Sequence, residues 1–364
     1  MWKPSIALFA VVVCAGRAQE SRSGFDLRMT VGFESEASNE LTYAPRSGFP
    51  VDAAFRAVLY PTWKLNDHWS VSGAYEIYSV PYFEEQFSTE GHAVRGDLLQ
   101  GTINYSWVGP NAAISVRAGE LLPSFGSFLL RYDDFANPLI RAPLQYGYYY
   151  KPVAALGAPG GQIDATWGRW DGRLQLSNSS LANPRSVLDH DQYANWSGGA
   201  GYTIYQGFRV GASTYHGPYL DRTDKFYLPG EAPPRDLPAT AVGFDADWAR
   251  GHWNVYGEVQ RFRMPYHVLP VFRETAGYIE ARRVLSPRWY LAARTGFIDP
   301  TVGNSRQSYE FVAGFRPNRI QLLKIGYALD RWNATSPELS PTKLSQTIAL
   351  QLVTSLHPLS IARN

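Results

Sequence analysis

The chain has 364 residues, 45% of them hydrophobic, 14% aromatic and only 18% charged, with a formal net charge of +2. A charge so near balance, with no basic cluster interleaved with aromatics, leaves no footprint for nucleic acid. Charge is low and aromatic content high for a soluble domain, yet no apolar run beyond the N-terminus approaches the roughly 20 residues of a membrane-spanning helix, so a helical membrane protein and a disordered chain are both excluded.

The chain begins with a secretory leader by its pattern. Lys3 supplies the positive end, Ile6 to Val13 a short apolar core, and Gly16-Arg17-Ala18 the small residues for cleavage after Ala18. The expected leader is therefore 1–18. Cys14 is the only cysteine, and bulky Val13 before it disfavours lipoprotein processing. With the leader removed no disulfide, thiolate metal site or catalytic cysteine remains.

Period-two alternation follows almost everywhere. Phe25, Leu27, Met29, Val31 and Phe33 alternate with Asp26, Arg28, Thr30, Gly32 and Glu34, and Trp69, Val71, Gly73, Tyr75 and Ile77 with Ser70, Ser72, Ala74 and Glu76. In GDLLQGTINYSW, Leu99, Gly101, Ile103, Tyr105 and Trp107 share one face, and Gln100, Thr102, Asn104 and Ser106 the other. The pattern recurs at Ile114–Ala118, Val242–Trp248 and Ile348–Leu352. No segment has a convincing helical period, so the fold is expected to be all-β.

The connections decide between a sandwich and a barrel. Short turns fall at Leu65-Asn66-Asp67, Gly109-Pro110-Asn111, Asp171-Gly172, Gln206-Gly207, Arg250-Gly251, Ser286-Pro287 and Pro317-Asn318. They alternate strictly with longer polar or Pro-rich connections, and a strand on each side gives about sixteen strands. A soluble sandwich has no reason to gather its long connections at one end; an outer-membrane barrel does. Trp63, Trp69, Trp107, Trp167, Trp170, Trp248, Trp253 and Trp289 lie near the short turns, the ring expected at a lipid interface. The expected fold is a transmembrane antiparallel β-barrel over 19–356, with short periplasmic turns, long external loops, and a C-terminal periplasmic tail over 357–364. Leu99, Ile103 and Tyr105 are expected to face lipid, and Gln100, Thr102 and Asn104 a wet interior.

The segment GELLPSFGSFLLRYDD, Gly119 to Asp134, followed by ANPLIRAP, Ala136 to Pro143, resembles part of the Gram-negative porins of the phosphate-selective (O/P-type) kind and their relatives. The shared pattern is a strand ending in an acid, then Pro, a Phe-Gly pair and an Arg-containing polar stretch. The resemblance implies a sixteen-stranded barrel that often forms a homotrimer. It also implies a third external loop, here the long connection 122–159, that folds inward and narrows the pore. Two departures stand out. Such barrels usually end on an aromatic residue, whereas this chain ends in HPLSIARN. Phosphate-selective members carry many basic lumen residues, whereas the wet faces here are mixed, so phosphate specificity does not carry over.

The inward loop would place Arg131, Asp133, Asp134, Arg141 and Lys151 at a constriction, where low-dielectric walls focus the field; the plainer reading is a solvated loop whose charges cap strands. Tyr146, Tyr148, Tyr149 and Tyr150 would stack sugars or simply anchor the loop. The wet faces hold Arg28, Arg56, Arg117, Arg173, Arg209, Arg282, Arg294, Arg316 and Lys324, and Asp26, Glu34, Asp52, Glu76, Asp164, Asp245, Asp247, Glu258, Glu280, Glu310 and Asp330. They either filter solutes or pair across the walls. His190 between Asp189 and Asp191, and Asp221 with Asp224, are weak external cation clusters more readily read as solvated, so no metal and no cofactor is expected. There is no Gly-rich phosphate cradle, HExxH or G-x-S-x-G elbow, so no enzyme is expected. The function expected is passive diffusion of small hydrophilic solutes or ions across an outer membrane, with lipid as the surrounding partner. Three cations against two anions in the loop favour anions weakly, and an acid excess in the wider lumen opposes them. The competing readings are a loop-plugged receptor or structural barrel and, behind it, an outer-membrane hydrolase.

Overall fold

The computed structural model describes residues 23–39, 51–80, 93–128, 133–147, 158–178, 194–218, 237–265, 270–301, 303–333 and 344–362. The leader expected over 1–18, with Cys14, lies outside them. The strands are β1 (Gly24–Ser38), β2 (Val51–Lys64), β3 (Trp69–Val80), β4 (Ala93–Val108), β5 (Ala112–Leu121), β6 (Ala158–Trp167), β7 (Trp170–Asn178), β8 (Ala194–Tyr205), β9 (Phe208–Pro218), β10 (Pro238–Arg250), β11 (Trp253–Met264), β12 (Phe272–Val284), β13 (Trp289–Pro300), β14 (Ser305–Phe315), β15 (Gln321–Asn333) and β16 (Leu344–Ala362), with one helical turn, α1 (Leu144–Gly147), between β5 and β6. Each strand pairs antiparallel with the next and β16 pairs with β1, so the sixteen strands form a closed barrel.

The alternation has the sense of a membrane barrel. Ile103, Val116, Ile163, Phe244, Ile279, Phe311, Ile325 and Leu350 are exposed on the outer face, while Thr102, Asn104, Gln162, Glu280, Glu310 and Gln351 are buried within. Tryptophans near the short-turn end are exposed in a girdle, and cross-strand aromatics support them: Trp69 lies edge-on to Tyr105 at 5.2 Å, Trp170 lies 4.7 Å from Tyr202, and Trp289 lies 4.5 Å from Phe315. Short side chains close the turns. The Asn66 side chain accepts from the amides of His68 (2.9 Å) and Trp69 (2.8 Å), and that of Asn318 from Ile320 (3.0 Å) and Gln321 (2.9 Å).

Three expectations need correction. The β6–β7 turn is Gly168-Arg169, where Gly168 takes φ +59°, and Asp171-Gly172 lies inside β7. Leu99 does not face lipid. Ala74 pairs with Gln100 and Tyr75 with Leu98, so Leu99 is the extra residue of a bulge. Leu98 takes the outward place at 51% exposure, and Leu99, at 4%, packs inward against Val58 and Ala74. Finally, residues 357–362 are not a tail: β16 runs to Ala362, which pairs with Gly24. Pro358 sits where the register slips between Leu27 and Met29 of β1. A bulge tolerates a residue without an amide hydrogen.

Ile103, 54% exposed in the middle of β4, provides a test of the faces. Ile103→Arg is expected to destabilise the inserted barrel by about 2–4 kcal/mol, read from urea titration in lipid vesicles and from loss of the heat-modifiable gel species. Ser115→Arg, on the inner face of β5, is expected to leave both nearly unchanged.

Candidate functional site: the lumen and its inward-folded loop

The described parts of the loop after β5, 122–128 and 133–147, lie inside the barrel, and both are fastened to its wall. Near its start the Ser124 amide donates to the Gln175 side chain of β7 at 2.7 Å, and the Ser124 hydroxyl meets that of Ser197 on β8 at 2.7 Å. Gly126 takes φ +80°, and a Cβ there would strike the Tyr146 hydroxyl and Glu258, so the turn requires glycine. Its carbonyl accepts from Arg173 at 2.5 Å. Glu258 of β11 receives the Ser127 amide at 2.9 Å and the Tyr146 hydroxyl at 2.8 Å. Burial, reinforced by the Glu258 charge, pushes the Tyr146 phenol well above its ordinary value, so it stays protonated and donates.

The second part, from Asp133, is more heavily tied. The Tyr60 hydroxyl donates to Asp133 at 2.5 Å, Asp134 lies 3.5 Å from Arg56, and Arg56 pairs with Glu76 at 2.9 Å. The amides of Ile140 and Arg141 donate to Glu310 at 3.0 and 3.1 Å, and Arg294 bridges Glu310 (2.5 Å) and the Arg141 carbonyl (2.6 Å). Lys324 donates to the carbonyls of Asp134 (2.7 Å) and Leu139 (3.0 Å) and to Gln351 (2.8 Å). Arg141 donates to Asp330 and Thr347, both at 2.8 Å, and lies 3.7 Å from Glu36; Arg306 meets the same Asp330 at 2.9 Å. Apolar contacts complete the anchorage. Leu139 and Ile140 pack on Tyr290, Ala292, Val312, Leu322, Ala349 and Val353, Leu144 on Ala276 and Ile298, and Phe125 lies edge-on to Phe262 at 5.6 Å. The inner face of β12–β16 is thus partly apolar where the loop covers it.

What is left for the water-filled part lies mostly toward the short-turn end. Arg117 pairs with Asp164, and Arg209 bridges Asp171 and Asp245 at 2.6 Å each. Four of the arginines expected on the wet face have no carboxylate partner among the described residues. Arg28 lies over the Tyr60 ring at 5.6 Å, Arg173 donates to the Gly126 carbonyl, Arg282 donates to Asn254 at 2.8 Å, and Arg316 lies over the Phe135 ring at 4.6 Å.

The expected site residues therefore divide. Of the constriction group, Asp133, Asp134 and Arg141 are on the inward loop, with Asp134 and Arg141 buried against the wall; Arg131, Lys151 and Tyr148–Tyr150 lie outside the described residues. Of the lumen group, Arg56, Glu76, Glu258 and Arg294 are buried, whereas Arg28, Arg117, Arg173, Arg209, Asp164 and Asp245 are at least partly exposed. Three charged participants were missed. Glu36 continues the β1 alternation two residues beyond Glu34, Arg306 was not singled out, and Asp171 was read as a turn. The clusters at His190 and at Asp221 and Asp224 lie outside the described residues, among which no group of three metal-ligating side chains gathers.

No family model matches the chain, and no curated protein matches it. Solved structures do share its fold. An anion-selective porin from Comamonas acidovorans is 11% identical, with 92% of this chain and 100% of that one covered and a TM-score of 0.59. The outer membrane channel DcaP of Acinetobacter baumannii is 9% identical, with 94% and 100% covered and a TM-score of 0.60. OmpT, an outer membrane protein of Vibrio cholerae described in a trimer form, is 8% identical, with 92% and 100% covered and a TM-score of 0.58. The likeness is to porin barrels generally, with nothing that singles out the phosphate-selective kind.

Arg141 is the strongest test of the anchorage, because its removal takes a compensating charge from Asp330 and Glu36 while both stay buried. Arg141→Ala is expected to cost about 3–5 kcal/mol by urea titration and to make single-channel currents larger and noisier as the loop loosens. Lys64→Ala breaks only the exposed 3.4 Å pair with Asp67 and is expected to cost less than about 1 kcal/mol.

Proposed function

We propose that the chain is an outer-membrane porin, admitting small hydrophilic solutes by passive diffusion and favouring anions. The barrel's apolar exterior, its wet interior and its likeness to porin structures support the channel. The anion preference is carried by the four lumen guanidiniums without a carboxylate partner among the described residues: Arg28, Arg173, Arg282 and Arg316. A one-to-one pair such as Arg117 with Asp164 presents a local dipole, whereas an unpaired guanidinium presents a net field that low-dielectric walls concentrate. The chemistry proposed is filtering by charge and size rather than catalysis. Assembly as a homotrimer belongs to the same reading, since a protein of this fold is described in a trimer form.

A second reading has a specific observation behind it. The third loop is fastened from β7 around to β2, as a plug would be. Planar-bilayer recording separates the two. The porin reading expects steady conductance and, under a salt gradient, a reversal potential on the anion side. Arg28→Gln, Arg173→Gln and Arg282→Gln together are expected to move that potential toward cations. A wild-type barrel that inserts but never conducts would transfer the assignment to the plugged receptor.

A further inference from the structure

Three arginines crowd the outer surface of β11 and β12. Arg261 and Arg263 are exposed and alternate with Gln260, Phe262 and Met264, each buried at 2% exposure, so both point away from the lumen. Arg273 is exposed beside buried Glu274. Arg263 and Arg273 are directly opposite in the register, and Arg261, opposite Thr275, is one diagonal step away. Like charges facing each other across a strand pair repel. Yet no hydrogen bond or ion pair among the described residues engages any of the three side chains. The outward acid of the adjoining strand, Asp299, sits opposite Thr275 and pairs with none of them.

Their height along the barrel says what meets them. Trp253 marks the short-turn interface, with the Arg283 guanidinium 5.2 Å over its ring. Arg261 and Arg263 lie eight and ten residues along the same strand. At about 3.3 Å per residue and a tilt of about 40° that is a rise of roughly 20–25 Å, the height of the apolar band. The arginines therefore stand at the opposite interface, on the long-loop side. Directly below them, an outward groove is walled by Phe244, Val259, Ile279, Phe297 and Tyr309 over Gly257.

We propose that this face binds a phosphorylated lipid of the leaflet next to the long loops, with the three guanidiniums on its headgroup phosphates and its acyl chains in the groove. A guanidinium presents a planar fork of donors that matches phosphate oxygens two at a time, so a headgroup with two phosphates suits three clustered arginines. The apolar groove commits the site to a lipid rather than to free phosphate. The proposal rests on the outer-membrane reading above.

The test uses the purified barrel in detergent and diphosphoryl lipid A as the probe, with bound lipid counted by native mass spectrometry. The wild type is expected to retain the lipid, and R261Q/R263Q/R273Q to bind it at least about tenfold more weakly, while keeping heat-modifiable migration and wild-type conductance. R283Q, which removes a charge from the other interface, is expected to retain it. The same lipid stripped of its phosphates, added to the wild type, is expected to bind as weakly as the diphosphoryl form binds the triple variant; this arm does not depend on any variant folding. Equal binding by the triple variant, equal binding of the stripped lipid, or equal loss in R283Q would overturn the proposal. So would displacement of the lipid by millimolar inorganic phosphate, or the triple substitution breaking apart an oligomer of the wild type. Lipid retention without conductance in the wild type would instead sink the pore and leave this site standing.

Discussion

Hydrocarbon offers no partner to a backbone N–H or C=O, so a chain crossing it with strands must pair every strand on both edges. The pairing of β1 with β16 meets that demand, and the rest follows from it. Closure inverts the usual placement of side chains: Ile103 and Phe311 face out, and Asn104 and Glu310 face in. It also explains why β16 continues through His357 and Pro358. If it stopped there, the first residues of β1 would be left with an open edge at membrane depth. The register slip between Leu27 and Met29 admits the proline while keeping the seam closed.

A polar interior creates a second problem, which the third loop exposes. A buried loop carries backbone groups that no strand ladder satisfies. Here the wall's charged side chains satisfy them. Glu258 takes the Ser127 amide, and Glu310 takes those of Ile140 and Arg141. Lys324 serves the carbonyls of Asp134 and Leu139, Arg173 that of Gly126, and Arg294 that of Arg141. Anions sit where amides arrive and cations where carbonyls arrive. Several charges that read as pore lining are therefore loop sockets. Such a set tolerates single deletions poorly, because each removal takes a partner from a buried charge or backbone group.

The barrel was legible in the sequence because its signal is repeated sixteen times over: period-two alternation, short turns alternating with long connections, and tryptophan beside the turns. The faces were legible wherever the period held. They failed at Leu99, where one extra residue in a bulge reverses every inference made from parity. The Asp171-Gly172 pair carried a hairpin signal as strong as the true turn at Gly168-Arg169, and only the pairing of Asp171 with Arg209 shows why the acid is needed inside. The loop's contacts were the least legible. The Arg141–Asp330 pair spans 189 positions, and no local pattern links such residues. What the sequence did offer was indirect: the inner faces of β12–β16 carry Ala276, Ala292, Ala349, Gly314 and Gly326, small side chains that leave room for something else to fill the space.

A formal charge of +2 consequently says little about permeation, because the arginines do different work. Arg56, Arg141, Arg294 and Arg306 are spent on the loop and its sockets, and Arg117 and Arg209 on wall-to-wall pairs. Each is compensated locally by the carboxylates it touches, and those carboxylates outnumber the arginines. Screening over about 8 Å at physiological ionic strength mutes what remains of these wall networks at the pore axis. Arg28, Arg173, Arg282 and Arg316 differ in forming no ion pair with a carboxylate among the described residues, so their field is not cancelled at contact distance. Selectivity in such a lumen follows from which charges are left over after folding, and that subtraction can be made only once the contacts are known.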